Sequence, residues 1–179
     1  WLRDIIYDSD GNRIANPKQL KKIENKLIRL QRRLSRKKKV SNNRGKAKLR
    51  LAKKYEKLTN IRDDFLHKIS SYYVNNYDII GMEDLAITNM VRNSFLSKSI
   101  LDASWGKLRQ YISYKAERAG KIYIQVDHKG TTQRCSKCGD TVNKELKDRT
   151  HNCNHCGFIA LRDYNSAINI KRLAISKII

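Results

Sequence analysis

Four cysteines constrain this chain more than anything else in it. Cys135, Cys138, Cys153 and Cys156 lie within 22 of its 179 residues, spaced Cys-x2-Cys-x14-Cys-x2-Cys. A glycine, Gly139 or Gly157, follows each pair. Two residues between cysteines let one tight turn aim both sulfurs at a common point, and glycine accepts the positive φ such a turn needs. Two such turns predict the four thiolates of a closed tetrahedral Zn2+ site, with a linker one residue under the usual length. The alternative is a pair of disulfides, which needs an oxidising compartment. No basic leader followed by an apolar stretch and a small-residue cleavage site is visible at the N-terminus. No apolar run approaches the ~20 residues of a membrane span. The expectation is therefore a chain that is neither secreted nor membrane-bound, with zinc rather than disulfides. His151 and His155 lie nearby, but four thiolates already fill a tetrahedron, so both are expected to be bystanders. A site with no open position folds a small ribbon and catalyses nothing.

Charge points to the partner. Lys and Arg number 39 against 17 Asp and Glu, a formal net charge of +22 with pI about 10.1 and mean hydropathy −0.70. The length suits one domain with a small appended module. So strong a positive field concentrates polyanions and favours nucleic acid, although a merely solvated basic surface is the plainer alternative.

The bias is local. Residues 17–62 hold 19 Lys and Arg against Glu24 and Glu56 alone. Within them Leu20, Ile23, Leu27, Leu30 and Leu34 recur at 3, 4, 3, 4, which predicts one helix over 17–39. Asn16-Pro17 reads as its N-cap and first helical position. Ser41–Gly45 should break it. A second helix is predicted to about residue 76, with Leu51, Tyr55, Leu58, Ile61, Phe65, Ile69 and Tyr72 or Tyr73 facing inward. Two stripes joined by a polar turn make an antiparallel hairpin. Like charges on neighbouring turns repel, so this density suits a phosphate backbone. The candidate contacts are Arg29, Arg32, Arg33, Arg36, Lys37, Lys38, Lys39, Arg44, Lys46, Lys48 and Arg50.

The flanks read as α/β structure. Residues 1–15 suggest a short β-hairpin turning at Asp8–Asn12. Tyr77–Glu83 reads as a buried strand ending in Glu83-Asp84, followed by a polar loop around Asn89–Ser99. Trp105, Leu108, Ile112, Ala116 and Ala119 set helical spacing, with Gly120 as the stop. Ile122, Ile124 and Val126 alternate as a second strand, and a closing amphipathic helix starts near Asp163. This places Glu83 at a strand end and Asp163 at a helix start, both at the rim where open sheets bind ligands. Paired carboxylates there suit Mg2+, and two such ions serve phosphodiester hydrolysis. Taken singly, Glu83 also fits an ordinary surface position and Asp163 a simple N-cap.

Four segments occur in a telling order: Gly81-Met82-Glu83-Asp84-Leu85, Asp102-Ala103-Ser104-Trp105-Gly106, the two Cys-x2-Cys-Gly turns, and Arg162-Asp163-Tyr164-Asn165-Ser166-Ala167-Ile168-Asn169-Ile170. Together they resemble the C-terminal half of the TnpB (transposase OrfB) family of bacterial and archaeal insertion sequences, relatives of the compact type V CRISPR nucleases. Asp10-Gly11 and Asn16-Pro17 leading into a basic hairpin also fit, so the resemblance covers about residues 5–172. It implies a ribonuclease H-like (RuvC) nuclease domain over 1–127 and 158–179, with the hairpin inserted at 17–76 and a zinc ribbon at 128–157. It further implies an RNA-guided DNA endonuclease, cytoplasmic and nucleoid-associated, whose partners are DNA and guide RNA. Glu83 matches the second catalytic carboxylate and Asp163 the third, both as Mg2+ ligands, and the cysteines match the structural zinc ligands. The hairpin would track backbone geometry while base pairing reads sequence.

One departure stands out. The family's first carboxylate sits in a Gly-x-Asp-x-Gly strand, and no glycine precedes Gly11 here. Asp4 falls in the following strand and is not its equivalent. The expectation is a domain lacking its first strand and the N-terminal recognition regions, with little nuclease activity alone. Two rivals keep the binding features: a nuclease-dead nucleic-acid-binding regulator, and a basic zinc-ribbon RNA-binding protein.

Overall fold

A computed structural model describes residues 3–145 and 147–179. The chain starts as the expected hairpin: β1 (Asp4–Tyr7) pairs antiparallel with β2 (Arg13–Ala15). Asp8 closes the turn by accepting the N–H groups of Asp10 (3.1 Å) and Asn12 (2.8 Å). Trp1 and Leu2, the first residues of the predicted hairpin, lie outside the described residues.

The two long helices form, with shifted ends. The first, α1 (Gln19–Ser35), starts two residues later than the proline signal suggested. Asn16 does not cap it; its Oδ1 accepts the Lys18 N–H (2.9 Å) in a local turn, and Lys18 stands at φ 50°. The cap arrives from elsewhere in the chain. Asp102 Oδ1 accepts the Leu20 N–H at 3.1 Å and binds Arg62 through Nε (3.0 Å) and Nη2 (2.6 Å). A carboxylate at a helix N-terminus satisfies an orphan donor and meets the positive end of the helix dipole.

The second, α2 (Asn42–Asn76), is 35 residues long and is capped by Ser41, whose hydroxyl accepts the Arg44 N–H. The break therefore lies before residue 42, not across Ser41–Gly45. Because α2 is twice as long as α1, its partner changes along its length. Its first half lies against α1 and its second half against α5 (Trp105–Arg118). The buried face follows the partner: Leu58, then Leu66, Ile69, Ser70, Tyr73 and Val74. Of the Tyr72 or Tyr73 alternative it is Tyr73 that turns inward, whereas Tyr55 and Ile61 from the predicted inner face are exposed.

Strand β3 (Ile79–Glu83) pairs in parallel with β4 (Ile122–Val126), from Ile79 opposite Ile122 to Glu83 opposite Val126. The crossover between them holds α3 (Ile87–Val91), α4 (Ser94–Ala103) and α5. Two of these helices occupy the stretch expected as a loop. Asn93 caps α4 through its side chain, so the polar residues there punctuate helices rather than prevent them. Leu66, Ile69, Tyr73, Val74, Ile80, Leu108, Ile112 and Ala116 form one core with Ile5. Trp105 ties β1 to it by donating Nε1–H to the Ile5 carbonyl (3.0 Å).

Beyond β4, β5 (Thr150–Asn152) pairs antiparallel with β6 (Ile159–Leu161), and α6 (Arg162–Ile175) closes the chain against β3 and β4. Gly81 permits that closure. A Cβ there would sit 2.6 Å from the Ala174 Cβ, closer than van der Waals contact allows.

Candidate metal centre and carboxylate site

The four thiols converge as their spacing predicts. All are free, and their sulfurs lie within 4.8 Å of one another. Cys135 Sγ is 3.7 Å from Cys156 Sγ, and Cys138 Sγ is 3.6 Å from Cys153 Sγ. A disulfide needs about 2.05 Å. Zn–S bonds of about 2.3 Å at tetrahedral angles put sulfurs roughly 3.8 Å apart, so the cluster has the dimensions of a metal site.

Each pair is built the same way. The Gly139 N–H donates to Cys135 O and the Gly157 N–H to Cys153 O, both at 2.9 Å, with glycine φ of 85° and 69°. The Cys135 N–H then reaches Asp140 O (2.7 Å) and the Cys153 N–H reaches Phe158 O (2.9 Å). Backbone N–H groups inside the turns favour thiolates. Burial opposes ionisation of Cys135, but the Cys138 and Lys137 N–H groups outweigh it and bring its thiol down to about 7. The Cys156 N–H, above all, lowers Cys153. At Cys138 the Asp140 N–H acts in the same direction, but burial and the three neighbouring sulfurs outweigh it and push that thiol up, so a cation that binds all four must displace its proton.

Neither histidine joins the cluster. His151 is fully buried, stacks obliquely on Phe158 and meets the Lys144 ammonium through Nδ1. Burial, and then Lys144, lower its pKa, so it stays neutral. It serves as core of the ribbon.

The carboxylates sit at the carboxyl end of the parallel pair. Glu83 is the last residue of β3, and the Asp84 N–H continues the ladder to Val126 O (2.8 Å). Glu83 Oε1 accepts Thr131 Oγ1–H (2.8 Å) and the longer bond from Ser166 Oγ–H (3.3 Å). Asp163 stands in the first turn of α6, three residues before Ser166 and therefore on the same helical face. Its carboxylate is half exposed and accepts Arg162 Nε–H at 3.1 Å. Because Ser166 touches Glu83 while Ile170 and Ala174 lie at Gly81, α6 runs antiparallel to β3. Its acidic first turn thus faces the strand's carboxyl end. Asp84, beside Glu83, is paired with Arg109 (2.6 Å). Among the described residues, no cluster of three or more Asp, Glu, His and Cys gathers here as it does at the thiols.

The basic residues of the hairpin are solvent-facing: Arg29, Arg32, Arg33, Arg36, Lys37, Lys38, Lys39, Lys46, Lys48 and Arg50 are exposed. Arg44 differs. Its Nη1 donates to Leu34 O (3.1 Å) and Lys37 O (3.2 Å), closing the end of α1. Sequence reading also missed Thr131, Asn165, Ser166 and Asn169, which join the carboxylate to the ribbon. Three of these stand in the Arg162–Ile170 motif, whereas Thr131 carries no local signal.

Known proteins place this architecture. A family model described as "Probable transposase" (OrfB_IS605) matches residues 2–94, and one described as "Cas12f1-like, TNB domain" matches residues 105–170. A Streptomyces pristinaespiralis protein named "Putative RNA-guided DNA endonuclease" is 36% identical over 94% of this chain and 42% of its own length. The CRISPR-associated endodeoxyribonuclease Cas12f1 of Sulfoacidibacillus thermotolerans is 37% identical over 69% of this chain and 30% of its own. The chain spans less than half the length of these relatives. The fold is that of Cas12f1 in its sgRNA–target DNA complex, at TM-score 0.58 and 23% identity, covering 89% of this chain and 43% of that one. No described helix is long and apolar enough to cross a membrane. The chain belongs to the OrfB family of IS605-type transposases, among whose homologues are the TnpB-like proteins.

Proposed function

We propose that this chain is the carboxylate-bearing and zinc-ribbon portion of an RNA-guided, metal-dependent DNA endonuclease, built on a ribonuclease H-like (RuvC) framework. One observation carries the reading. Ser166, on the same face of α6 as Asp163, bonds Glu83 Oε1, so the family's two matching carboxylates share the rim of the β3–β4 pair. Their oxygen donors and the half-exposed setting suit Mg2+, which when bound activates water and stabilises the leaving oxygen of a phosphodiester. Glu83 and Asp163 would hold it. The four cysteines would hold Zn2+, purely structurally.

The hairpin supports the second half of the reading. Ten exposed cations, six on α1 and α2 and four in the turn between them, and unpaired among the described residues, suit the phosphates of a guide RNA or guide–target duplex, with base pairing supplying sequence. Arg44, committed to the helix end, contributes to the turn instead.

The test is a titration of the zinc-loaded chain, Glu83→Ala and Asp163→Ala with Mn2+ or Mg2+. Binding near millimolar or tighter that either substitution abolishes is the expected result. Equal binding by all three forms would sink the carboxylate site. Two carboxylates hold metal weakly, so the purified chain should cleave DNA poorly by itself. Robust Mg2+- and Glu83-dependent cleavage would refute that expectation.

A further inference from the structure

Thr131 is polar, lies at the root of the ribbon and is almost wholly buried, at 2% exposure. Its hydroxyl has one proton and two acceptors in reach, Glu83 Oε1 at 2.8 Å and His128 O at 3.0 Å. A carboxylate is the stronger acceptor, so the proton goes to Glu83. The shorter of the two hydroxyl contacts on Glu83 therefore comes from outside the sheet and outside α6.

Two buried asparagines of α6 hold Thr131 there. Asn169 Nδ2 spends its two protons on Thr131 O (2.9 Å) and Arg134 O (2.7 Å). Asn165 Nδ2 donates to the same Arg134 carbonyl (2.8 Å), and its Oδ1 accepts the Ser136 N–H (2.8 Å). Arg172 adds a contact to Ser136 O. Residues 131–136 are thus fastened to the helix on both sides of Cys135. Each of these buried groups is costly to leave unpaired, so the seam has one arrangement rather than many.

We infer that Thr131 is a positioning residue that fixes the Glu83 carboxylate, and that the folded zinc ribbon, docked through Asn165 and Asn169, holds Thr131 in place. Metal loading of the ribbon then sets the geometry of a carboxylate outside it. Groups that orient a metal ligand in this way typically influence affinity 10–100-fold when removed. The inference rests on the reading of Glu83 as a metal ligand and of the thiols as a zinc site.

The test uses the whole chain, zinc-loaded, as wild type, Thr131→Val and Thr131→Ser. Its first readout needs no catalytic metal: the 13C resonance of the Glu83 carboxyl, assigned through Glu83→Gln. It should move in Thr131→Val, return in Thr131→Ser, and move again in wild type stripped of zinc by a chelator. The second is Mn2+ affinity, which should weaken about tenfold in Thr131→Val and recover in Thr131→Ser. A resonance indifferent to Thr131→Val overturns the positioning role, and one indifferent to zinc removal overturns the link to the ribbon. If Glu83→Ala leaves Mn2+ binding unchanged, the metal-ligand reading is what fails. The resonance still decides whether Thr131 holds Glu83.

Discussion

The ribbon seam and the basic hairpin are held together by opposite means. At the seam, Asn165 and Asn169 bond the backbone of Thr131, Arg134 and Ser136 at 2.7–2.9 Å inside the protein. Adjacent to it four thiols converge within 4.8 Å of one another. The hairpin instead spreads its apolar stripe thinly, with Leu27 and Leu58 buried where α1 and α2 meet and Leu49, Tyr55 and Ile61 exposed. It surrounds that stripe with like charges that far outnumber the carboxylates paired with the hairpin, such as Asp102 with Arg62. On the function proposed above, a metal ion would complete the first region and a polyanion the second. Small size sets the one and excess charge the other: a ribbon so small buries little surface of its own, whereas the helical pair has surface enough but carries a large excess of positive charge.

The sharpest way to break this contrast is to remove the ribbon's cation. Cys135→Ser, or chelation, should cost most of the roughly 10–16 kcal/mol a structural zinc supplies and abolish amide protection across β5 and β6. The helical circular dichroism of α1, α2 and α5 should persist. Its loss together with the ribbon would mean the regions are not separately held.

Next in size is the base of the hairpin. Asp102→Ala strips the cap from Leu20 and leaves Arg62 beside an uncharged pocket. With the Asp102 side chain 7% exposed and Arg62 20%, the pair is mostly buried, and about 3 kcal/mol of stability should be lost in denaturant unfolding. A loss under about 1 kcal/mol would mean that packing alone fastens α1.

Gly81→Ala probes the closure of α6 on β3. The new Cβ meets Ala174 at 2.6 Å, so about 1–3 kcal/mol of overpacking is expected in thermal melts. Adding Ala174→Gly should restore most of it, less about 1 kcal/mol for glycine in a helix. No restoration would show that the strain lies elsewhere.

The smallest effect runs the other way. Val40, at the hairpin tip, is fully exposed at φ 67°, a conformation that costs a branched side chain about 1–2 kcal/mol. Val40→Gly should stabilise the chain by about 1 kcal/mol, read as a small rise in Tm. An unchanged or lowered Tm would mean that the Arg44 and Ser41 contacts do not hold the tip in that strained form.

Much of this molecule is legible without coordinates. The cysteine spacing with its glycines dictates the cluster, because two-residue turns leave the sulfurs little choice. The 3–4 stripe of α1, the strands at 79–83 and 122–126 and the helix at 105–118 follow from local periodicity. So does Asp163 at the start of α6. Periodicity stops where the partner changes: α2 turns a different face to α5 than to α1, so Ile61 is left exposed and Tyr55 meets α1 only at its edge, through Gln31. Capping was also misread. Asn16-Pro17 looked sufficient, yet the donor of α1 is met by Asp102, some eighty residues away, and no local pattern encodes such a bond. Thr131 is the clearest case. In sequence it is an unremarked residue before a zinc knuckle; in three dimensions it is the hydroxyl on Glu83. Residue spacing determined which groups this protein owns, since spacing is a local property of the chain. Which of them meet was decided only when α6 packed across Gly81, because hydrogen bonds between distant segments exist only after the backbone has been brought together.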